Sequence, residues 1–109
     1  MWNDTQPIWR QVKDLLVNQI LDGTLRSGEA APSVRQCAAD LQLNPLTVAR
    51  AYQELVDEGV LEKRRGLGSF VAEGAADRLL EQERARFLAE EWPQILARMA
   101  RLGLDVKDL

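Results

Sequence analysis

The chain has 109 residues, of which 46% are hydrophobic, and a formal net charge of −3. This length suffices for one modest domain with an appendage, and the hydrophobic fraction argues against intrinsic disorder. The acidic balance argues only weakly against a nucleic-acid binder, because binding depends on where the basic groups lie rather than on their sum.

The numbers of cysteines and histidines and the lengths of the apolar runs argue against disulfides, metal sites and membrane spans. The single cysteine, Cys37, cannot form an internal disulfide and fits a reducing compartment. The chain contains no histidine, so we expect no metal site and no cofactor. No apolar run approaches the roughly 20 residues that a membrane-spanning helix needs, and the N-terminus lacks the basic-then-apolar pattern of a signal peptide. We therefore expect a cytoplasmic protein with no membrane partner.

The first predicted element is a helix over residues 7–21. Its apolar residues recur at helical spacing, with Thr5 or Gln6 as the expected N-cap and Gly23 at its end. The segment 24–32 that follows contains glycine and proline, so we predict a loop that holds at most a very short strand.

Two short helices with a tight turn between them are predicted over residues 33–59. Ser33 and Gln36 have the spacing of a capping box at the start of the first of these helices. Asn44 is a strong N-cap for the second, and Pro45 costs no hydrogen bond at the first helical position. This arrangement matches the helix-turn-helix unit, whose second helix enters the major groove of DNA.

The outward face of the second helix carries side chains suited to the edges of DNA bases. A helix N-terminus also attracts phosphate, through its free N–H groups and its dipole. No acidic residue occurs between positions 41 and 53, and this gap is more informative than the net charge. The predicted outward side chains are those of Asn44, Leu46, Thr47 and Arg50.

Residues 60–71 are predicted to form a β-hairpin with a basic tip. Its turn is placed at residues 65–68, with glycine where a positive φ is needed. Lys63, Arg64 and Arg65 crowd the tip. A hairpin of this kind, directly after a helix-turn-helix, is typical of the wing of a winged helix. A wing can lie along the phosphate backbone or reach the minor groove.

After a hinge of small residues at 72–76, the rest of the chain is predicted to be helical. A highly charged helix covers residues 77–91, Pro93 breaks it or starts the next helix, and Asp105 is the expected cap of a last turn. Roughly 35 residues are too few to hold a core alone, so this apolar stripe must pack on the winged helix or on another copy. We expect dimerisation, because DNA readers of this size commonly double their contacts through two-fold symmetry.

Five segments follow one another in an order and at a spacing that point to a known family. They are PIWRQ at 7–11, GTL at 23–25, PSVR at 32–35, NPLTVARAY at 44–52 and RRGLGSFV at 64–71. Together they resemble the GntR family of bacterial transcription regulators over about residues 6–73. The short helical tail, with its W-P and L-G-L-D elements, is similar to that of the YtrA subfamily.

The resemblance implies a mostly α fold with a small β-hairpin. An N-terminal winged helix-turn-helix DNA-binding domain is expected at 6–73, followed by a short C-terminal helical dimerisation tail at 74–109. Four positions depart from the family's pattern, namely Ala31, Gln42, Leu46 and Leu67. From the patterns and the resemblance together, the expected DNA-contacting residues are Ser33, Arg35, Asn44, Pro45, Leu46, Thr47, Arg50, Arg64, Arg65 and Gly66.

Simpler roles for the basic residues stay open at this point. Arg50 could be a surface charge paired with Glu54 one turn further on, and Arg35 could pair with Asp40. Arg64 and its neighbour could belong to a solvated turn. The surrounding motifs nevertheless favour contact with DNA for all of them.

Three other residues have two possible roles each. Cys37 is expected to fill the core, and a redox-sensitive thiol is the alternative, which would need exposure and a low pKa. Trp9 and Trp92 are expected to be packing or interface anchors rather than parts of a ligand cage.

The leading hypothesis is a homodimeric transcription regulator, a repressor, that binds a palindromic operator in double-stranded DNA. The alternative is a winged-helix protein-interaction module without DNA binding, which the net negative charge supports. An enzyme is the weakest of the three hypotheses, because we find no catalytic residues, neither a nucleophile–base pair nor a phosphate-binding loop. The sequence identifies no small-molecule effector.

Overall fold

The computed structural model describes residues 2–109. The chain divides into two compact units, of which the first ends at Leu79 and the second is Leu80–Leu109. No helix of residues 2–109 has both the length and the apolar character needed to cross a membrane. The elements in chain order are α1 (Ile8–Leu21), α2 (Val34–Leu41), α3 (Pro45–Asp57), β1 (Leu61–Arg64), β2 (Gly68–Val71), α4 (Ala75–Arg86), a π-helical segment (Phe87–Glu91), α5 (Trp92–Arg101) and a 3₁₀ turn (Val106–Asp108).

The core of the first unit forms where α1 packs on α3. Val12, Leu16 and Ile20 of α1 follow one another at intervals of four residues and are buried, as the predicted stripe required. On α3, Val48 and Leu55 are fully buried. Burying a side chain of this size contributes about 1.5–3 kcal/mol. The helix pair is therefore the rigid support on which the rest of the unit is built.

The cap predicted for α1 is wrong. Pro7, with φ −56° and ψ 147°, is the N-cap, and its carbonyl accepts a backbone hydrogen bond from Gln11 at 3.3 Å. Thr5 cannot serve, because its backbone N–H and its hydroxyl both donate to Asn3 Oδ1, at 3.0 and 2.6 Å. The carbonyl of Gln6 accepts from the Gln11 side chain at 2.9 Å. A local turn that precedes the helix has therefore taken the capping group of Thr5, and neither predicted side chain caps α1.

The capping box predicted at α2 is half formed. Ser33 Oγ accepts a hydrogen bond from the backbone N–H of Gln36 at 3.0 Å. The Gln36 side chain does not return to Ser33, because its Nε2 donates to Asp40 Oδ1 at 2.8 Å, one turn further on. Asp40, the carboxylate that could have paired with Arg35, is therefore bonded to Gln36 instead.

The turn between α2 and α3 depends on a left-handed residue. Gln42 ends α2 with φ 57° and ψ 47°, and among residues 2–109 it is the sole non-glycine residue with positive φ. This conformation lets the backbone N–H of Leu43 donate to the Ala38 carbonyl at 2.9 Å. A side chain other than glycine in this region of φ and ψ costs about 1–2 kcal/mol.

We expect Gln42→Gly to stabilise the protein by about 0.5–1 kcal/mol, because glycine removes the left-handed strain but loses more chain entropy on folding. Urea unfolding followed by circular dichroism measures the change. The matched control is Gln53→Gly, an exposed position inside α3. There the same substitution should destabilise by about 0.5–1 kcal/mol. A loss of stability at both positions would contradict the strain argument.

The predicted wing is present as an antiparallel hairpin. Its register pairs Leu61 with Val71 and Arg64 with Gly68. Gly68 is thus the first residue of β2 rather than the last of the turn, and the backbone N–H of Leu67 closes the turn on the Arg64 carbonyl at 2.9 Å. The φ of Gly68 is 105°, so the strand begins at a position that only glycine adopts without strain.

The loop before α2 contains the very short strand that the sequence allowed. Ala30 forms an isolated antiparallel bridge to the wing. On either side of it, the Ala31 N–H donates to the Ser69 carbonyl, and the Val71 N–H donates to the Glu29 carbonyl, both at 2.9 Å. These bonds tie the second strand of the wing to the residues that lead into α2.

The predicted hinge at 72–76 is wrong at its C-terminal end. Ala75 begins α4, and it and Leu79 are buried in the core of the first unit. The start of α4 is held by Arg78, whose Nη2 donates to the Gly59 carbonyl at 2.6 Å. Ala75 has no exposed surface, which explains why a small residue stands there.

Pro93 does not interrupt the helical chain, although the sequence allowed a break there. The segment Phe87–Glu91 is π-helical, and the N–H of Trp92 donates to the Phe87 carbonyl five residues back. Proline lacks an N–H and collides with the carbonyl four residues before it, so a widened turn just ahead of it accommodates both defects. Pro93 lies in the first turn of α5, and Asp105 caps the 3₁₀ turn as predicted.

Candidate nucleic-acid interface

The N-terminus of α3 is capped by a side chain that keeps spare hydrogen-bonding capacity. Asn44 Oδ1 accepts from the backbone N–H of Leu46 at 2.9 Å, as predicted. Its carbonyl accepts from Thr47 at 3.0 Å. The cap uses only the oxygen of the Asn44 side chain, so its NH₂ group remains a donor at an exposed position.

The first two turns of α3 present one side to solvent and bury the other. Asn44, Pro45, Leu46 and Arg50 are exposed and Thr47 is half-buried, whereas Val48 has no exposed surface. The Leu46 side chain is 78% exposed, which is unusual for a large apolar residue with no partner in its own unit.

Arg50 has a partner that its position in the sequence did not indicate. Its guanidinium carbon lies 4.2 Å from the centroid of the Trp9 ring, in a cation–π arrangement. The alternative partner, Glu54, is not used, because neither of the two ion pairs found in residues 2–109 involves Arg50. The N–H edge of the guanidinium is therefore not neutralised by a carboxylate of the described chain.

A groove of about 350 Å³ lies between the start of α2 and the wing. Three cationic side chains of the wing contribute to its lining, and Ser33 contributes the capped end of α2. The nearest carboxylate to this group is that of Glu62, 4.0 Å from Arg64 Nη2. The lining residues are Pro32, Ser33, Val34, Tyr52, Lys63, Arg64, Arg65, Gly66, Gly68 and Ser69.

Tyr52 fixes the floor of this groove. The side chain is buried, and its hydroxyl donates to the Pro32 carbonyl at 2.6 Å, which holds the start of α2 beside α3. Burial, followed by the neighbouring Cys37, raises the pKa of Tyr52 well above its usual range, so the phenol keeps the proton that this bond needs. Burial also raises the pKa of the Cys37 thiol. A buried, protonated thiol favours the packing role over the redox role.

The wing tip is open and carries a second stacked arginine. Arg64 lies with its guanidinium carbon 4.2 Å from the centroid of the Phe70 ring. Gly66 has φ 76°, and beyond its two chain neighbours no residue has an atom within 4 Å of the position that a Cβ would take there. Arg65 is exposed and, among the residues that the structure describes, has no ion pair.

Residues 9–71 match the sequence model of the family described as bacterial regulatory proteins, gntR family. The chain belongs to the GntR family. GntR proteins are DNA-binding transcription regulators. The fold expected from the resemblance, a winged helix-turn-helix with a helical C-terminal part, is confirmed.

Two of the similar proteins match nearly the whole chain, including the tail, and a third matches about two thirds of it. The chain is 32% identical over 103 residues to the HTH-type transcriptional repressor YtrA of Bacillus subtilis, which is 94% of this chain and 78% of YtrA. A solved GntR family regulator from Listeria monocytogenes is 30% identical, with a TM-score of 0.80 over 98% of this chain and 92% of its own. AraR(DBD), solved in complex with operator ORR3, is 25% identical, with a TM-score of 0.61 over 66% of this chain and 87% of its own.

The structure brings the predicted DNA-contacting residues of this GntR protein together in three places. Arg35 lies on the exposed side of α2 and, within residues 2–109, forms no ion pair. The first two turns of α3 carry Asn44, Pro45, Leu46, Thr47 and Arg50. The groove beside the wing collects Ser33, Arg64, Arg65 and Gly66.

Three aromatic residues at this surface had no predicted part in it. In the sequence Tyr52 stands out only as part of the segment at 44–52 and Phe70 only as part of the predicted hairpin, while Trp9 is expected to be a packing or interface anchor. Stacking of Trp9 on Arg50 joins residues 41 positions apart, so no local pattern could have shown it. Phe70 pairs with Glu62 across the hairpin, and Arg64 lies two residues beyond Glu62 on the same strand. The register of the hairpin was therefore the one signal that could have placed Arg64 beside Phe70.

The chemistry of the site is that of a binding surface. It offers amide and guanidinium donors, helix N-termini and an apolar contact at Leu46. In the part of the chain that the structure describes, no cluster of histidine, cysteine or carboxylate residues is arranged to hold a metal ion.

Proposed function

We propose that this protein is a homodimeric repressor that binds a palindromic operator. The observation that carries the proposal is the exposed N-terminal half of α3, which is free of carboxylates and flanked by a groove with three cationic side chains. The likeness to the repressor YtrA, and to AraR(DBD) in complex with an operator, supports the assignment.

The start of α3 would read base edges in the major groove. The free NH₂ of Asn44 can donate to a base acceptor, and Leu46 offers an apolar contact for a thymine methyl group. Arg50 would donate in bidentate fashion to guanine O6 and N7, and Thr47 can bond to either kind of base. These four side chains lie within the first two turns of α3 and its N-cap, and the N-terminal residues of a recognition helix are the ones that contact base edges.

Phosphate contacts would hold the duplex on both sides of this helix. The N-termini of α2 and α3, at Ser33 and Pro45, point the positive end of the helix dipole outward, and at α2 the first backbone N–H groups are also free to donate. Arg35 extends the surface along α2. On the wing, Arg64, Arg65 and the open backbone at Gly66 would follow the sugar–phosphate chain.

The C-terminal part would form the dimer. Among residues 2–109, eleven large apolar side chains are exposed, and nine of them lie at or beyond Leu80. A second copy of the chain would cover them, and the two-fold axis would place the two recognition helices one helical turn apart, or a multiple of it. The nine residues are Leu80, Phe87, Leu88, Ile95, Leu96, Leu102, Leu104, Val106 and Leu109.

A regulator of this kind acts where the bacterial chromosome lies, so we place it in the cytoplasm, associated with the nucleoid when bound. We assign it no catalytic activity. A protein-interaction module without DNA binding is the second candidate, which the net charge of −3 favours.

Selection from a pool of random 30-base-pair duplexes distinguishes the two candidates. We expect the protein to enrich an inverted repeat and to bind it in fluorescence anisotropy at physiological salt. The specific complex should be about 10³-fold or more tighter than a scrambled duplex. The same affinity for selected and scrambled duplexes would reject operator binding and favour the interaction module.

Replacing Arg65 with alanine should weaken binding to every duplex by a similar factor, because a phosphate contact carries no sequence information. The slope of log K against log salt concentration should become shallower by about one unit per half-site, which is about two units for the dimer on the inverted repeat. The control is Arg26→Ala, which removes the same charge from an exposed loop outside the proposed surface. Equal slopes for Arg65→Ala and the wild type, or a loss confined to one sequence, would contradict the phosphate assignment.

A further inference from the structure

The cation–π contact of Arg50 joins a flexible side chain to a fixed one. Trp9 belongs to the first turn of α1 and is half-buried, whereas Arg50 is exposed on α3. The two helices are held together by a core that includes Val12 and Leu55, both without exposed surface. The indole ring is therefore a feature of the rigid support, and the guanidinium is the group that the contact restrains.

Stacking leaves the hydrogen-bonding edge of Arg50 free. A guanidinium meets an aromatic ring with its flat face, while its five N–H donors lie in its own plane and point outward. The same group can thus rest on Trp9 and donate two parallel bonds to guanine. Within residues 2–109, no hydrogen bond or ion pair uses the Arg50 side chain, so these donors have no competing partner in the chain itself.

Restraint of this kind has a direct consequence for binding. An arginine side chain has many rotamers in solution and loses most of this freedom when it is fixed against a base. If the ring already restricts the guanidinium before DNA arrives, part of this loss has occurred in the free protein. An exposed cation–π contact also persists when the cation donates hydrogen bonds in its plane, since the two interactions use different parts of the group.

The wing repeats the arrangement. Arg64 lies over Phe70 at the same distance, 4.2 Å, that separates Arg50 from Trp9. These are the two cation–π contacts found in the described residues, and both involve arginines of the surface proposed to bind DNA. The repetition argues that the aromatic residues serve the arginines rather than stacking on them by chance.

We propose that Trp9 is a positioning residue that holds Arg50 for readout of a guanine in the major groove. Trp9 itself need not touch DNA. This inference rests on the proposed function, and it goes beyond that function by assigning a role in specificity to a residue of α1.

The test compares two duplexes, using the inverted repeat selected by the wild-type protein. A second selection with Arg50→Ala identifies the G·C pair that this variant no longer requires. One duplex is the sequence selected by the wild type, and in the other this G·C pair is replaced by A·T in both half-sites. The ratio of the two Kd values measures discrimination at that pair. Trp9→Leu keeps an apolar side chain and removes the ring, Trp9→Phe restores a ring, and Trp2→Leu is the matched control because Trp2 packs on the same core without stacking on an arginine.

We expect Trp9→Leu to lower the discrimination ratio about twofold to fivefold per half-site, and Trp9→Phe to restore most of it. Trp2→Leu should leave the ratio unchanged. In an Arg50→Ala background, Trp9→Leu should have no further effect on the ratio, because a positioning residue acts only through the side chain that it positions. Thermal melting verifies that each variant is folded at the assay temperature.

Three results would overturn the inference. The ratio for Trp9→Leu could equal that of the wild type while Arg50→Ala abolishes discrimination. Trp9→Leu could instead tighten the matched duplex, which would mean that the ring withholds Arg50 from DNA. Finally, Arg50→Ala could relax no base pair, in which case the inference fails while operator binding stands. If the wild type enriches no duplex, the proposed function fails first and the inference falls with it.

Discussion

A variant carrying both Leu88→Glu and Leu96→Glu is expected to sediment as a monomer and to bind the selected inverted repeat about 10²- to 10⁴-fold more weakly than the wild type. Both side chains are exposed apolar residues of the C-terminal unit, 60% and 41% exposed. Eight residues apart along the chain, they lie in the part of the molecule that we propose forms the dimer. Carboxylates cannot be buried between two copies without a partner for each charge.

The size of the effect follows from linkage between two half-sites. Once one recognition helix of a dimer is bound, the second meets its half-site at an effective concentration in the millimolar range, so the two contacts multiply. A monomer has one contact and no such gain. Binding to a duplex with a single half-site should therefore be nearly the same for the variant and the wild type. That comparison isolates dimerisation from damage to the DNA surface.

The control for the added negative charge is a variant that carries both Gln82→Glu and Gln94→Glu. These two exposed polar residues lie in α4 and α5, and the double substitution adds the same two negative charges to the tail without touching an apolar side chain. This control should remain dimeric and keep its operator affinity within a few-fold. A dimeric Leu88→Glu, Leu96→Glu variant in analytical ultracentrifugation would refute the proposed interface, as would a monomer with unchanged operator affinity.

The helices and the wing could be predicted because their causes are local. Apolar spacing fixes α1 and α3, and Asn44 with Pro45 fixes the point where α3 starts. The glycines at 66 and 68 mark the hairpin, since a positive φ is required on both sides of Leu67. The exposed face of α3 followed from the same spacing, so the position of the candidate site was also predictable.

Competition between nearby partners explains most of the errors. Thr5 and Gln36 both have side chains that suit the predicted caps, yet each bonds to a different neighbour at 3.0 Å or less. One sequence pattern permits both arrangements, and differences of about 1 kcal/mol between them decide the outcome. The π-helical turn before Pro93 is a similar case, because a helix can either end before proline or widen to admit it.

The parts of the site that depend on tertiary contacts could not be predicted. Tyr52 reaches a carbonyl 20 residues earlier, and Trp9 reaches Arg50 across the α1–α3 interface. Pattern analysis assigns both aromatics to the core, since core packing is their commoner role. Only the assembled helix pair shows that one anchors the start of α2 and the other stacks on an arginine of the surface that we propose binds DNA.

Replacing Arg50 with alanine is expected to weaken binding to the selected operator by about 1–3 kcal/mol per half-site, which is about 5- to 150-fold, and to leave binding to scrambled duplex almost unchanged. The reason is that a bidentate bond to guanine forms only where that base stands in the groove. The exposed guanidinium edge and the lack of a carboxylate partner in residues 2–109 make such a bond sterically and electrostatically accessible.

The comparison with Arg65→Ala makes this prediction specific. Both variants lose one positive charge, but Arg50 lies on α3 and Arg65 at the wing tip. Loss of a base contact should relax one base pair in a repeated selection, whereas loss of a phosphate contact should leave the selected sequence intact and lower all affinities together. Anisotropy titrations on matched, singly mismatched and scrambled duplexes separate the two patterns. If Arg50→Ala lowers all three affinities by one common factor, Arg50 is a phosphate contact, and the base-reading face of α3 must lie nearer Asn44 and Thr47.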